Sequence, residues 1–159
     1  MASYSFHLVD SAEARAVWEE SDQGSVFTHP DVLSRLTSSV DWWLASKGRE
    51  PLCLWPVCRQ SDGAVSLPGP AYYIGPMWSH SGNMIPAHRW LASSLKVYEG
   101  LVSRFIDYYG AIHAQLPLGL YDVRAFSWWG HHEPNKPIIL TYTAFVYRTF
   151  RGKVTIDAA

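Results

Sequence analysis

The sequence predicts a single α/β domain, α+β in layout, spanning residues 1–159. Three observations carry that expectation. Apolar residues recur at helical spacing over Pro86–Tyr109, and two strand-like runs flank a hairpin-length connection at Lys47–Glu50. No internal repeat or low-complexity segment breaks the chain. A domain of this length buries roughly two-thirds of its unfolded surface, enough for a core without metal or disulfide support.

The elements follow in order. Phe6–Val9 reads as a short strand. Ser11 is the expected N-cap of a helix over Ala12–Glu20, with Ala14, Val17 and Trp18 on its apolar side and Gly24 beyond its end. Ser25–Asp31 reads as an extended lead-in to a second helix, in which Thr28 caps, Pro30 suits the first turn and Asp31 suits the helix dipole. Val32, Leu33 and Leu36 give that helix its apolar side. Asp41–Ser46 and Leu52–Cys58 are the hairpin strands. Pro51 and Pro56 cannot donate ladder bonds, so the second strand is expected at an edge or bulged at Pro56. Gln60–Gly63 is a polar turn and Ala64–Leu67 a further strand. Pro68–Trp78 is irregular, with prolines and glycines framing Tyr72, Tyr73 and Trp78. On the long helix Leu91, Leu95, Tyr98, Leu101, Val102, Phe105 and Tyr109 form one side. Ser94, Lys96, Glu99, Arg104 and Asp107 take much of the other, and Gly110 ends it. Ala111–Leu116 then reads as a strand, Leu120–Trp129 as a short helix or turn, and Pro137–Phe150 as a long strand.

Composition narrows the function classes. Charged residues make up 17%, against about 25% in an average domain, and aromatics reach 14% with 8 Trp and 9 Tyr. One interior does not easily hide so many rings, so some are expected to line a groove or an interface. The net charge of −1 comes without a Lys/Arg cluster, which argues against DNA or RNA and against an anionic membrane surface. Cys53 and Cys58 fall on opposite faces of a strand, so two buried free thiols are expected rather than a disulfide. Met1–Ser5 does not open a signal peptide, and no apolar run has membrane-spanning length. The expected location is cytoplasmic.

The chemical motifs are mostly incomplete. An acyl-CoA pyrophosphate loop, of the form Arg/Gln-x-x-Gly-x-Gly/Ala, needs glycines and free N–H groups at the start of a helix. The helix that could serve opens with Ser81-Gly-Asn-Met-Ile-Pro-Ala-His-Arg-Trp90, which has one glycine and a proline that removes a donor. P-loop, dinucleotide and Gly-x-Ser-x-Gly signatures are missing too. His131-His132-Glu133 is a polar cluster with no further His or Cys at a familiar metal spacing, so it reads as a hydrogen-bonded loop. His29, before Pro30, reads as orienting a turn rather than acting as a base. The loop Tyr72-Tyr73-Ile-Gly-Pro-Met-Trp78 is the binding candidate. It either displays rings on a rigid frame or folds them back over the end of the sheet.

Five segments taken together resemble the FemAB-like acyltransferases, tandem GNAT folds that include the CelD-type acetyltransferases. They are Val26-Phe-Thr-His-Pro-Asp31, Pro51-Leu-Cys-Leu-Trp-Pro-Val57, Pro70-Ala-Tyr-Tyr-Ile-Gly-Pro76, Asp122-Val-Arg-Ala-Phe-Ser-Trp128 and the strand with Tyr142-Thr143-Ala144. Their order and spacing are similar to the N-terminal half of those proteins, and the likeness covers most of the chain. The resemblance implies a GNAT-like, mostly antiparallel sheet flanked by helices. It also implies that this half shapes an acceptor cleft while a second half carries the acyl chemistry. No catalytic residue is then expected here, and no cofactor is bound by this chain alone. An acyl-CoA or aminoacyl donor would enter through a partner half. Tyr72, Tyr73 and Trp78 would meet a small-molecule, glycan or peptide acceptor, or the partner. Asp122, Arg124 and Trp128 would hold the neighbouring turn. Because the family runs on into a second half after Ala159, the chain is expected to be a fragment, a half that pairs with another polypeptide, or a homodimer. The alternative is a binding or dimerisation module that has kept the fold and lost the reaction.

Overall fold

The computed structural model describes residues 3–69, 71, 73–110, 114 and 116. Their order is β1 (Tyr4–Val9), α1 (Ser11–Glu19), a 3₁₀ turn (Val26–Thr28), α2 (Pro30–Leu36), β2 (Ser39–Lys47), β3 (Glu50–Arg59), β4 (Met77–Trp78), α3 (His80–Asn83) and α4 (Ala87–Tyr109). The strands form one antiparallel sheet in the order β1-β2-β3-β4. The expected mixed α and β architecture is present, with helices on both faces of an antiparallel sheet.

Period-two alternation divides the sheet residues between two apolar layers. Trp43, Ala45, Cys53, Trp55 and Val57 face α4 and pack on Val97, Tyr98, Leu101, Val102, Phe105 and Ile106. Trp42, Leu44, Leu54, Cys58 and Met77 face the other way, onto Ala14, Val17, Leu33, Ala71 and Ile74. Both sides of β2 and β3 are therefore buried, which explains why those strands read as continuous apolar runs. Cys53 and Cys58 lie in different layers as free, buried thiols. Burial pushes both thiols up, Cys58 to about 12, so they stay protonated and unreactive near neutrality.

Several boundaries differ from the sequence expectation, each for a visible reason. Asp10, not Ser11, caps α1, its carboxylate accepting from the N–H groups of Ala12 (2.9 Å) and Glu13 (2.8 Å). His29, not Thr28, caps α2, its Nδ1 accepting the Asp31 N–H at 3.1 Å. Thr28 is buried instead, and its hydroxyl accepts the Ser25 N–H (2.9 Å) and the Trp18 Nε1–H (3.2 Å). Strand β3 is internal, and its register shift lies opposite Ala45/Ser46, near Pro51 rather than Pro56. Among the described residues β4 pairs only with Cys53 and Leu54 of β3. The alternation of the ladder turns the missing Pro56 donor toward the β4 side, where no described residue pairs with Pro56, so no described ladder bond is lost. Ala64–Leu67 is no strand. It contributes a single bridge, Arg59 to Val65, after Gly63 takes a positive φ of 82°. On α4 Ser94 is buried and Leu91 is 45% exposed, so the inward stripe is rotated from the one read off the sequence. Gly100 sits where α4 crosses β1, and a Cβ there would collide with the Phe6 ring.

The expected elements at Leu120–Trp129 and Pro137–Phe150, and most of Ala111–Leu116, lie outside the described residues. Among the described residues, no helix is long and apolar enough to cross a membrane.

Candidate functional site

The structure separates the aromatic residues grouped by the sequence. Trp78 is 1% exposed, against the expectation that it meets an acceptor or partner. Its indole donates to the Tyr98 hydroxyl at 2.7 Å and packs 4.4 Å from the Trp90 ring. Its backbone N–H donates to Gln23 Oε1 (3.0 Å) and its carbonyl accepts from Ser21 Oγ (2.7 Å). A large ring beside a short strand gains more from burial than from display, so Trp78 ties the α1–α2 connection and α4 to the sheet. Tyr73 is half-buried and meets Phe27 edge-on at 5.4 Å. Tyr72, Asp122, Arg124, Trp128 and the His131-His132-Glu133 cluster lie outside the described residues.

The Phe27 contact leads to a cleft that sequence reasoning did not single out. It holds about 450 Å3 between α1 and the start of α2, lined by Trp18, Gly24, Ser25, Val26, His29, Asp31, Val32 and Arg35. The Trp18 and His29 rings meet edge-on at 4.4 Å and form one wall. Because His29 Nδ1 accepts a backbone N–H, the neutral ring carries its proton on Nε2, as assigned from this hydrogen bond. Arg15 hydrogen-bonds and pairs with Asp31, holding its carboxyl below the usual carboxylate range. Asp31 is thus compensated, and Arg35 is left as the net charge of the lining. A wall of rings and valines with one cation and one imidazole donor suits a small ligand that has an apolar part and an anionic or hydrogen-bond-accepting part. The sequence marks Ser25–Asp31 as the lead-in to a helix and His29 as a turn residue, and nothing in that spacing announces a cleft.

A second polar cluster lies where α4 ends. Tyr109 OH donates to Asp41 Oδ2 (2.6 Å) and accepts from Trp43 Nε1 (2.9 Å), while Arg59 donates to Asp41 Oδ1 (2.9 Å). Desolvation first, then the Asp41 hydrogen bond, raises the Tyr109 phenol well above its usual range. A phenol held neutral against a carboxylate that is itself paired to Arg59 is a clasp, not an acid–base pair. A further apolar void of about 20 Å3 beside β3, lined by residues such as Trp55, Val65 and Ile74, holds no more than a water. Among the described residues, no three His, Cys, Asp or Glu side chains gather as a metal site.

No family model, curated protein or solved structure matches the chain.

Proposed function

We propose that this chain is a FemAB-like, GNAT-related half domain that shapes an acceptor cleft and leaves acyl-donor binding and chemistry to a second half. The observation that carries the reading is how α4 opens. Its N-cap is Pro86, which lacks an N–H, and the Arg89 N–H of the first turn is engaged by the Pro86 carbonyl at 2.8 Å. A diphosphate needs several free donors and a glycine backbone it can approach closely, and this helix start offers neither. The antiparallel sheet under helices on both faces supports the same reading.

In this reading the acceptor side is the α1–α2 cleft. Trp18, Val26 and Val32 supply its apolar wall, with His29 Nε2 and Arg35 as the polar anchors. Tyr73 acts one step removed, bracing Phe27 and so the turn that carries Val26. The donor, acyl-CoA or an aminoacyl group, comes with the other half. Acetyl transfer from acetyl-CoA by the isolated chain tests the assignment. None is expected, and robust turnover without a partner overturns it.

A second reading, a non-enzymatic binding or dimerisation module on the same fold, is favoured by the large apolar side chains left at the surface, Leu8, Met84, Leu91 and Tyr108 among them. It differs in one outcome: adding a second GNAT half would restore no transfer.

A further inference from the structure

The side chains around the α1–α2 cleft restrict what can sit in it. His29, Val32 and Arg35 follow one another at intervals of three, so they share one side of α2 and all line the cleft. An apolar side chain thus stands between an imidazole and a guanidinium. Asp31 is held by Arg15, with Arg35 the weakest influence on it, and Arg35 itself forms no ion pair among the described residues. The His29 Nε2–H has no partner among them either, because Nδ1 is the ring atom that meets the Asp31 N–H. The remaining polar side chains of the lining are engaged with Thr28. The Trp18 Nε1–H donates to its hydroxyl at 3.2 Å, and the Ser25 hydroxyl meets the same oxygen at 3.3 Å. Trp18 therefore offers the cleft ring surface and no donor.

We infer that the cleft recognises an aromatic monocarboxylate carrying a hydrogen-bond acceptor at the far end of its ring. The carboxylate pairs with the planar fork of Arg35, whose two parallel N–H groups match its two oxygens. One negative charge is the limit. With Asp31 balanced by Arg15, a second charge on the ligand would meet no cation in the lining and would lie near the Asp31 carboxylate. The acceptor meets the His29 Nε2–H. Its distance from the carboxylate follows from the helix: six residues separate His29 from Arg35, about 9 Å along the axis at a rise of about 1.5 Å each. One para-substituted ring with its two end groups covers that separation. The ring itself lies over Val32 and against the Trp18 indole, where a flat body gains both area and a favourable ring contact. A cleft of about 450 Å3 admits a molecule of this size. The inference names the ligand class of the proposed acceptor cleft and rests on that reading only for calling the carboxylate an acceptor.

Titration of the full chain with 4-acetylbenzoate, followed by amide and indole N–H chemical shifts, tests the inference. Two analogues of nearly the same shape accompany it: 4-acetylbenzamide lacks the charge, and 4-isopropylbenzoate lacks the acceptor. Saturable binding is expected, with the Trp18 indole and the Val32 and Arg35 amides among the signals that move. The amide should bind roughly three- to tenfold more weakly and the isopropyl acid about threefold more weakly. Arg35→Gln, on an exposed side chain, should abolish the preference for acid over amide. His29→Asn keeps a good N-cap for α2 while withdrawing the Nε2 donor, and should abolish the preference for acetyl over isopropyl. Circular dichroism and the melting temperature check that both variants keep the fold. No saturable binding in the wild type overturns the inference, and so does equal affinity for acid and amide. A preference that its own substitution leaves intact in a folded variant, or shifts confined to residues away from the cleft, overturns it too. Failure of the half-domain reading is seen separately, as acetyl transfer by the chain alone, which carboxylate binding neither requires nor prevents.

Discussion

At the scale of single residues, polar atoms in this domain are placed by what can reach them. The Asp41–Tyr109–Trp43 clasp joins the start of β2 to the end of α4 through one phenol. Tyr109→Phe keeps the ring and removes the hydroxyl, leaving the Trp43 indole N–H and one Asp41 oxygen without that partner. The expected loss is roughly 2–3 kcal/mol, read from urea unfolding at neutral pH. The pH sense is also fixed. A phenol whose folded pKa is raised stabilises the fold fully below its unfolded value of about 10, and that contribution is lost as pH rises further. The variant should therefore lose less stability than the wild type between pH 9 and 11; an equal alkaline loss in both proteins contradicts the clasp. None of these partners was legible in the sequence, because Asp41 and Tyr109 are 68 positions apart and only the packed fold brings them together.

At the scale of elements, the sequence was most informative where periodicity runs long. The α4 span matches its expected limits to within a residue, and the β2–β3 hairpin is where its pattern placed it. Short elements escaped. Met77–Trp78 is a strand only because Cys53 and Leu54 offer a partner, which no local pattern in a Pro/Gly-rich stretch announces. Caps were misassigned by a residue because Asp10 and Ser11, or Thr28 and His29, are each able to accept from the first turn, and tertiary contacts choose between them. Gly100 costs α4 helix propensity, yet it is the notch that admits Phe6. Gly100→Ala should gain up to about 1 kcal/mol of helix propensity and lose about 1–3 to overpacking against β1. A net lower melting temperature is expected, with Gly100→Ala/Phe6→Leu recovering most of it. A stabilised single variant would show that β1 is not held against α4 in the way described.

For the molecule as a whole, the fold class was readable and the site only in part. Apolar periodicity announced the long helix and the hairpin strands but not that both faces of the sheet are buried, and the aromatic excess did not reveal which rings face inward. Much of the surplus turned out to be internal cement: Trp43, Trp55, Trp78 and Phe105 build the α4 layer, and the ring least expected there, Trp78, is almost fully buried. The candidate acceptor cleft instead gathers Trp18, His29 and Arg35 from α1 and α2, whose meeting is a tertiary fact. The proposed division of labour puts acceptor binding on this chain and donor binding elsewhere, in keeping with the donor-poor start of α4. Calorimetric titration of acetyl-CoA into the isolated chain tests that division most directly. No saturable heat is the predicted result, because Pro86 and the engaged first turn give a diphosphate too few donors. Saturable one-to-one binding would contradict it and place the donor site on this half.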